Sequence, residues 1–272
     1  MVSLLTAGEK ALSEPHIVIE AVEAVYDAAD GDLVALDGID LRFERGEFVS
    51  IIGPSGCGKS TLLRIIGGLM APTIGRVLID GKPPREAQRD KQVGFVFQDP
   101  SLLPWSNVSD NVRLPLQVNK RRTARDPERL IDLVGLSNFR RYYPHQLSGG
   151  MQQRVAIARS LVTSPSLLLM DEPFGALDEI TRSTMRHELL RIWRSEIEAE
   201  ARNTTVLFVT HSITEAILLA DRVIVFAPQP GRVAADLRTD LPRPRPEEIE
   251  SGPAFLEYSR QLRSLLRERS PV

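Results

Sequence analysis

Cysteine is almost missing from this chain: Cys57 stands alone, so no internal disulfide can form, and no group of residues is spaced like a metal-ligand cluster. That usage suits a reducing compartment. Long apolar runs are missing as well, since no stretch approaches the roughly 18 residues that a membrane-spanning helix requires. The first residues, MVSLLTAGEKALSEPH, carry acids and lack a basic start followed by an apolar stretch, which argues against a secretion signal. Neither sign of charge dominates: a formal net charge of -2 removes nucleic acid and anionic lipid as default partners. No internal repeat is visible. What is present is a 272-residue chain, 42% hydrophobic and 26% charged, long enough for one large domain or a domain with a subdomain, and expected in the cytoplasm.

The first part reads as strands. HIVIEAVEAV alternates, GIDLRFERGEFVSIIG holds two β-rich runs around the turn signal RGE, and GRVLIDG is bracketed by glycines, all at first sight antiparallel. From Val93 onward, VGFVFQ, SLLLMDEP, TVLFVTH and RVIVFA are short, continuous and apolar, as parallel strands buried on both faces should be. Between about Asp99 and Pro165 no convincing strand occurs. Val108, Val112 and Leu116, then Leu130 and Val134, then the run from Ser148 to Leu161 predict an inserted helical subdomain. After Gly231 come a short strand, RVAADL, a proline-rich spacer, LPRPRPEE, and an amphipathic helix carrying Leu256, Leu262 and Leu265. The fold class is therefore α/β, with a mainly parallel sheet, an N-terminal antiparallel β subdomain and a helical insert.

The stretch GPSGCGKST follows an apolar strand and precedes a helical run. The pattern GxxxxGK[ST] in that context lets successive backbone N–H groups converge on an anion, because glycine permits close approach and positive φ. The candidate cradle is Gly53, Pro54, Ser55, Gly56, Cys57, Gly58, Lys59, Ser60 and Thr61. Lys59 would reach the β- and γ-phosphates of a nucleotide, Ser60 would ligate Mg2+, and the following helix would aim its positive end at the phosphates. Cys57 is expected to serve as a small loop residue and not as a nucleophile.

LLLMDEP supplies an acidic complement. Its apolar strand ends at Asp171, whose carboxylate can hold the Mg2+ shell, and Glu172 follows, placed to polarise an attacking water. A second anion-binding helix start lies in LSGGMQQR, where Ser148, Gly149 and Gly150 open a long helical run. One triphosphate needs one such cradle. Two on one chain make sense if each closes over the nucleotide of another copy, in a two-fold dimer with shared sites.

With these elements in order the chain resembles the ATP-binding subunit of an ABC transporter over roughly residues 17 to 240. The resemblance is carried by the P-loop, Gln98 in FVFQDP, the signature LSGGM, the Asp171–Glu172 pair, GALD ending in Asp178, and His211 in VTHS. It implies that Gln98 senses Mg2+ and the γ-phosphate, that His211 contacts the γ-phosphate, that Glu172 is the general base, and that Asp178 belongs to the nucleotide site. Tyr26 fits the family's adenine-stacking aromatic, although DAADGD lengthens the loop behind it. One residue departs from the pattern: the signature's fifth position, usually glutamine, is Met151, which removes an amide near the partner's nucleotide but leaves the Ser-Gly-Gly cradle. Met151 together with LLPWSNVSDNV, DEPFGALDEITR and LPRPR resembles the nitrate, sulfonate and taurine importer branch.

That likeness implies ATP and Mg2+ as cofactors and a homodimer peripheral on the inner face of the membrane. It also implies separate permease subunits and, indirectly, a solute-binding protein. Leu102, Leu103, Pro104 and Trp105 offer apolar surface on which a permease helix could dock, or else Leu103 and Trp105 pack inside the helical subdomain. The expected layout is an N-terminal extension (1–16), an ATPase domain (17–240, helical part about 99–165), and a spacer plus helix (241–272). A mechanical ATPase of cell division or lipoprotein extraction is the alternative. A DNA-repair or translation ATPase is disfavoured, because no long coiled coil, zinc module or tandem cassette is visible.

Overall fold

The computed structural model describes residues 15–27, 31–118, 125–199 and 204–267. Most of the expected N-terminal extension, and Ala28, Ala29 and Asp30 of the DAADGD insertion, lie outside the described residues. Among the described residues nine strands form two sheets. The smaller is antiparallel, with β1 (Ile17–Tyr26) between β2 (Leu33–Phe43) and β4 (Ile74–Ile79). The larger has six strands in the order β5-β6-β7-β3-β8-β9, namely β5 (Val93–Val96), β6 (Leu167–Asp171), β7 (Thr205–Thr210), β3 (Phe48–Ile52), β8 (Arg222–Phe226) and β9 (Val233–Arg238). Its first five strands run parallel and β9 is antiparallel on the edge. Eight α-helices accompany them among the described residues: α1 (Lys59–Ile66), α2 (Pro84–Arg89), α3 (Val108–Val118), α4 (Pro127–Leu133), α5 (Gly149–Leu161), α6 (Glu179–Ala199), α7 (Ile213–Leu219) and α8 (Pro253–Arg267).

One strand departs from the expected pairing. The two runs around RGE do not form a hairpin: β2 stays in the small sheet, whereas β3 enters the parallel sheet between β7 and β8. All five β3 side chains are buried, so the strand needs cover on both faces, which the parallel sheet provides. β2 alternates over its second half and needs cover on one face only.

Alternation along the central strands sorts the helices. Phe208 and Val206 of β7, with Leu168 and Met170 of β6, pack on α5 (Val155, Ile157, Leu161) and α6 (Met185, Leu189, Trp193). Leu207 and Val209, with Leu167 and Leu169, pack on α1 (Leu62, Leu63, Ile65, Ile66) and the small sheet. The P-loop helix and the signature helix thus occupy opposite faces of one sheet.

His16 pins the two sheets together. It is buried, with Nδ1 2.6 Å from the Thr205 hydroxyl, and that hydroxyl also accepts the Gly46 N–H at 3.0 Å. Burial first, and the Arg45 charge second, lower its pKa to about 4, against a smaller opposing pull from Asp80. A depressed histidine pKa means that the unfolded chain takes up protons first. The stabilisation is complete above pH 6.5 and is lost as pH falls from there towards 4. Between pH 7 and pH 5 this site should cost roughly 2 kcal/mol of stability. Urea unfolding at the two pH values should register that loss in the native chain and a smaller one in His16→Gln.

The stretch expected to act as a spacer is packed against the sheet. Arg245 is buried and donates to the carbonyls of Ile217, Leu218 and Ala220 at 3.3, 3.0 and 2.9 Å, and to the Asp221 carboxylate at 2.7 Å. It satisfies the open carbonyls at the end of α7 and sets a positive charge against the helix's negative end. Leu241, Phe255 and Leu262 close an apolar cluster with Ile217, Val223 and Val225, which fastens α8 beneath α7.

Candidate nucleotide site and its neighbours

The loops after β3, β7, β6 and β5 carry the P-loop, His211, the Asp171–Glu172 pair and Gln98. These four strands are neighbours and run the same way, so all the loops open at one edge of the sheet. The P-loop turns into α1 at Gly58, whose φ is 88° and where an added Cβ would sit 2.5 Å from the carbonyl oxygen of Ala35; both facts require glycine. Lys59 is buried, its ammonium donating to the carbonyls of Gly53 and Pro54 at 2.9 and 2.7 Å, which holds it across the base of the loop. Cys57 points into the core beneath the loop, and burial pushes its thiol pKa up, which leaves no support for a nucleophilic role.

The Ser60 hydroxyl donates to Oδ1 of Asp171 at 2.7 Å, joining residues 111 positions apart. Burial raises the Asp171 pKa, the Ser60 hydrogen bond opposes that, and the Glu172 charge adds to it. A divalent cation would offset the charge, and a hydroxyl with a carboxylate is a hard-oxygen donor pair, so these residues fit Mg2+.

Glu172 sits at φ 44°, a sparsely populated conformation for a residue with a side chain, and its amide donates to the Val209 carbonyl at 3.0 Å. That turn points its carboxylate at His211, with Nδ1 3.4 Å from Oε2. A Cβ built on Gly175 would lie 3.1 Å from Nε2 of Gln98 and 3.6 Å from Oε2 of Glu172, so amide and carboxylate both flank this glycine. The Tyr26 hydroxyl lies 3.1 Å from that of Thr61 and 3.4 Å from the sulfur of Met70, beside the start of α1.

Ser148 caps α5, its hydroxyl oxygen accepting the Met151 N–H at 3.3 Å. At Gly150 a Cβ would come within 2.7 Å of the Thr181 methyl, so α6 leaves no room for a side chain there. The Met151 side chain packs on the helical core. Asp178 is exposed and caps α6, accepting the amide and hydroxyl of Thr181 at 3.0 and 2.7 Å, which lowers its pKa. The cradle of Ser148, Gly149 and Gly150 therefore neighbours the start of α6 and lies across the sheet from α1.

Several organising residues have roles that the sequence motifs do not assign, although Gln153 and Asn111 lie inside quoted stretches. Gln153 of α5 donates to the Phe97 carbonyl at 3.2 Å, and Arg159 to those of Pro100 and Ser101 at 2.6 and 2.8 Å, tying the signature helix to the segment around Gln98. Buried Asn111 accepts the Leu103 N–H at 2.8 Å and donates to the Leu103, Ser106 and Asn107 carbonyls at 3.2, 2.9 and 3.1 Å. The loop so held turns Leu102 onto the helical core and leaves Trp105 74% exposed. Trp105 does not pack inside the subdomain.

A family model described as ABC transporter matches residues 36–175. An aliphatic sulfonates import ATP-binding protein, SsuB of Bacillus cereus, is 41% identical over 235 residues, 86% of this chain and 90% of that one. A nitrate import ATP-binding protein, NrtD of Synechocystis, is 41% identical over 263 residues, 93% and 96% of the two chains. Among solved structures, the dimeric post-hydrolysis state of the ATP-binding cassette MJ0796, bound to ADP and Pi, superposes with a TM-score of 0.69 at 35% identity. It covers 82% of this chain and 98% of that one.

Proposed function

Since this chain belongs to the ABC transporter family as an ATP-binding subunit, an ATPase coupled to transport, we propose that it powers uptake of a small anionic solute of the nitrate, sulfonate or taurine kind. On this reading it dimerises on ATP around two shared sites. The observation that carries it is the placement of the two anion-binding helix starts, α1 and α5, on opposite faces of one sheet. A signature cradle so placed is separated from its own P-loop by the sheet, which supports its meeting that of a second copy.

The ATPase domain is proposed to span residues 17–240, with the helical part at about 99–165, and residues 241–267 pack onto it. The P-loop amides and Lys59 hold the phosphates, and Tyr26 stacks on the adenine. Ser60, Asp171 and Gln98 would hold Mg2+, which when bound neutralises charge on the β- and γ-phosphate oxygens. Glu172 accepts the proton of the attacking water, and His211 and Gln98 orient the γ-phosphate and the water around that carboxylate. Asp178 lies where the start of α6 meets the partner.

As an ATP-binding subunit of this family the chain passes its stroke to separate permease subunits; among the described residues no helix is long and apolar enough to cross a membrane. The loop around Leu103 and exposed Trp105 is the proposed docking place, on the cytoplasmic face. The test is co-purification with the membrane partner, followed by ATPase assays in lipid with a candidate solute and its binding protein. Solute should stimulate hydrolysis. Trp105→Ala should recover at least about tenfold less membrane partner while ATP binding by the isolated chain is unchanged. Equal recovery would remove this loop from the interface.

A further inference from the structure

Arg182 joins two loops of the site from behind. Its guanidinium donates to the Phe174 and Leu177 carbonyls at 3.3 and 2.8 Å and to the Glu179 carboxylate at 3.1 Å, holding the segment that runs from Glu172 to Asp178. On its other side Nε lies 3.9 Å from Oε1 of Glu215, a buried carboxylate at the start of α7.

The remaining oxygen of Glu215 accepts the Thr210 hydroxyl at 2.5 Å. The Thr210 oxygen in turn accepts the Ser212 N–H at 3.0 Å, and the Ser212 hydroxyl accepts the Glu215 N–H at 3.3 Å. His211 is bracketed by two residues that are both fastened to Glu215. Because His211 also lies 3.4 Å from Glu172, the contacts close a ring: Glu172, the Phe174 carbonyl, Arg182, Glu215, Thr210, His211 and back. Of this ring the sequence motifs assign a role only to Glu172 and His211; Phe174, Thr210 and Arg182 stand inside quoted stretches without one.

We infer that Arg182 and Glu215 are positioning residues that set the distance and orientation between Glu172 and His211 for hydrolysis. This rests on the roles proposed above for those two side chains. Neither Arg182 nor Glu215 has a hydrogen bond or ion pair to the P-loop among the described residues, so both should act on turnover and not on ATP affinity. Removing Arg182 takes a charge partner from the buried Glu215 carboxylate, and removing Glu215 leaves Arg182 to Glu179 alone, so the loop that the lost group held is free to shift. Displacements of about 1 Å at a reacting centre cost up to about 10²-fold in rate.

The experiment uses the full chain with Arg182→Gln, Glu215→Gln and the double variant, alongside Glu172→Gln. It measures ATP binding at equilibrium, kcat, KM and the urea unfolding midpoint. Each single variant should lower kcat by about 10- to 100-fold with ATP affinity unchanged, and the double variant should be no slower than the slower single one. Glu215→Gln keeps an acceptor for Thr210 and nearly the native shape, so it carries the test alone if Arg182→Gln does not fold. Native kcat in the singles beside a slow Glu172→Gln overturns this inference and leaves the proposed base in place. Near-normal kcat in Glu172→Gln overturns both. Losses that multiply in the double variant, or that appear equally in ATP affinity, show a merely structural role and overturn the pairing.

Discussion

Glu172→Gln is expected to bind ATP as the native chain does and to turn it over at least about 10²-fold more slowly. The amide keeps the size and planarity of the carboxylate, so the φ of 44° and the backbone hydrogen bond to the Val209 carbonyl need not change. What it loses is the ability to take a proton. The native carboxylate is well placed to take one, since it lies 3.4 Å from Nδ1 of His211, flanks Gly175 together with the Gln98 amide, and follows Asp171, the partner of Ser60, in the chain. Binding should be intact because the phosphate cradle is backbone and Lys59, none of which the substitution touches. The variant should therefore accumulate as an ATP-bound dimer, visible by size-exclusion chromatography with ATP and absent without it. Turnover within a few-fold of native would remove Glu172 from the role of base.

Mixing two dead chains should restore one working closure. Lys59→Ala disables the P-loop of one chain, and Ser148→Arg blocks the signature of the other by filling the cap of α5. Each homodimer should fail to close. In a mixed dimer with shared sites, one site collects both lesions and the other joins an intact P-loop to an intact signature. A cross-link between the P-loop of one copy and the signature of the other should then return, dependent on ATP, in at most half the sites. If both cradles served the nucleotide of their own chain, every site would hold one lesion and nothing would return. Closure is the better readout, because hydrolysis can require both sites together. The opposed placement of α1 and α5 across the sheet is why recovery is expected. Failure to recover the cross-link, with both variants folded and mixed dimers present, would sink the two-fold sandwich.

The two experiments divide what was local from what was not. A P-loop works through consecutive backbone amides, so its chemistry is written in consecutive residues, and GPSGCGKST could be read without a fold. The same holds for a strand that ends in Asp171–Glu172 and for the helix opened by Ser148, Gly149 and Gly150. Continuous apolar runs marked β6 and β7 as buried on both faces, because a parallel strand has no solvated side to encode.

Other features depended on contacts between residues far apart in the chain. Ser60 reaches Asp171, and His211 reaches Glu172, because β3, β7, β6 and β5 lie side by side, an order that no local pattern records. β3 left its apparent hairpin partner because five buried side chains need two covered faces. LPRPRPEE read as a spacer because proline and arginine suggest solvent, yet Arg245 meets the open carbonyls of α7. Trp105 could have packed inside, and Asn111 turned the loop so that it does not. By itself the sequence determined which groups can hold a triphosphate and activate water, since those properties belong to side-chain types and short backbone patterns. Only the tertiary structure decided which of them meet and which face away, since that depends on strand order and on the sheet face each helix covers.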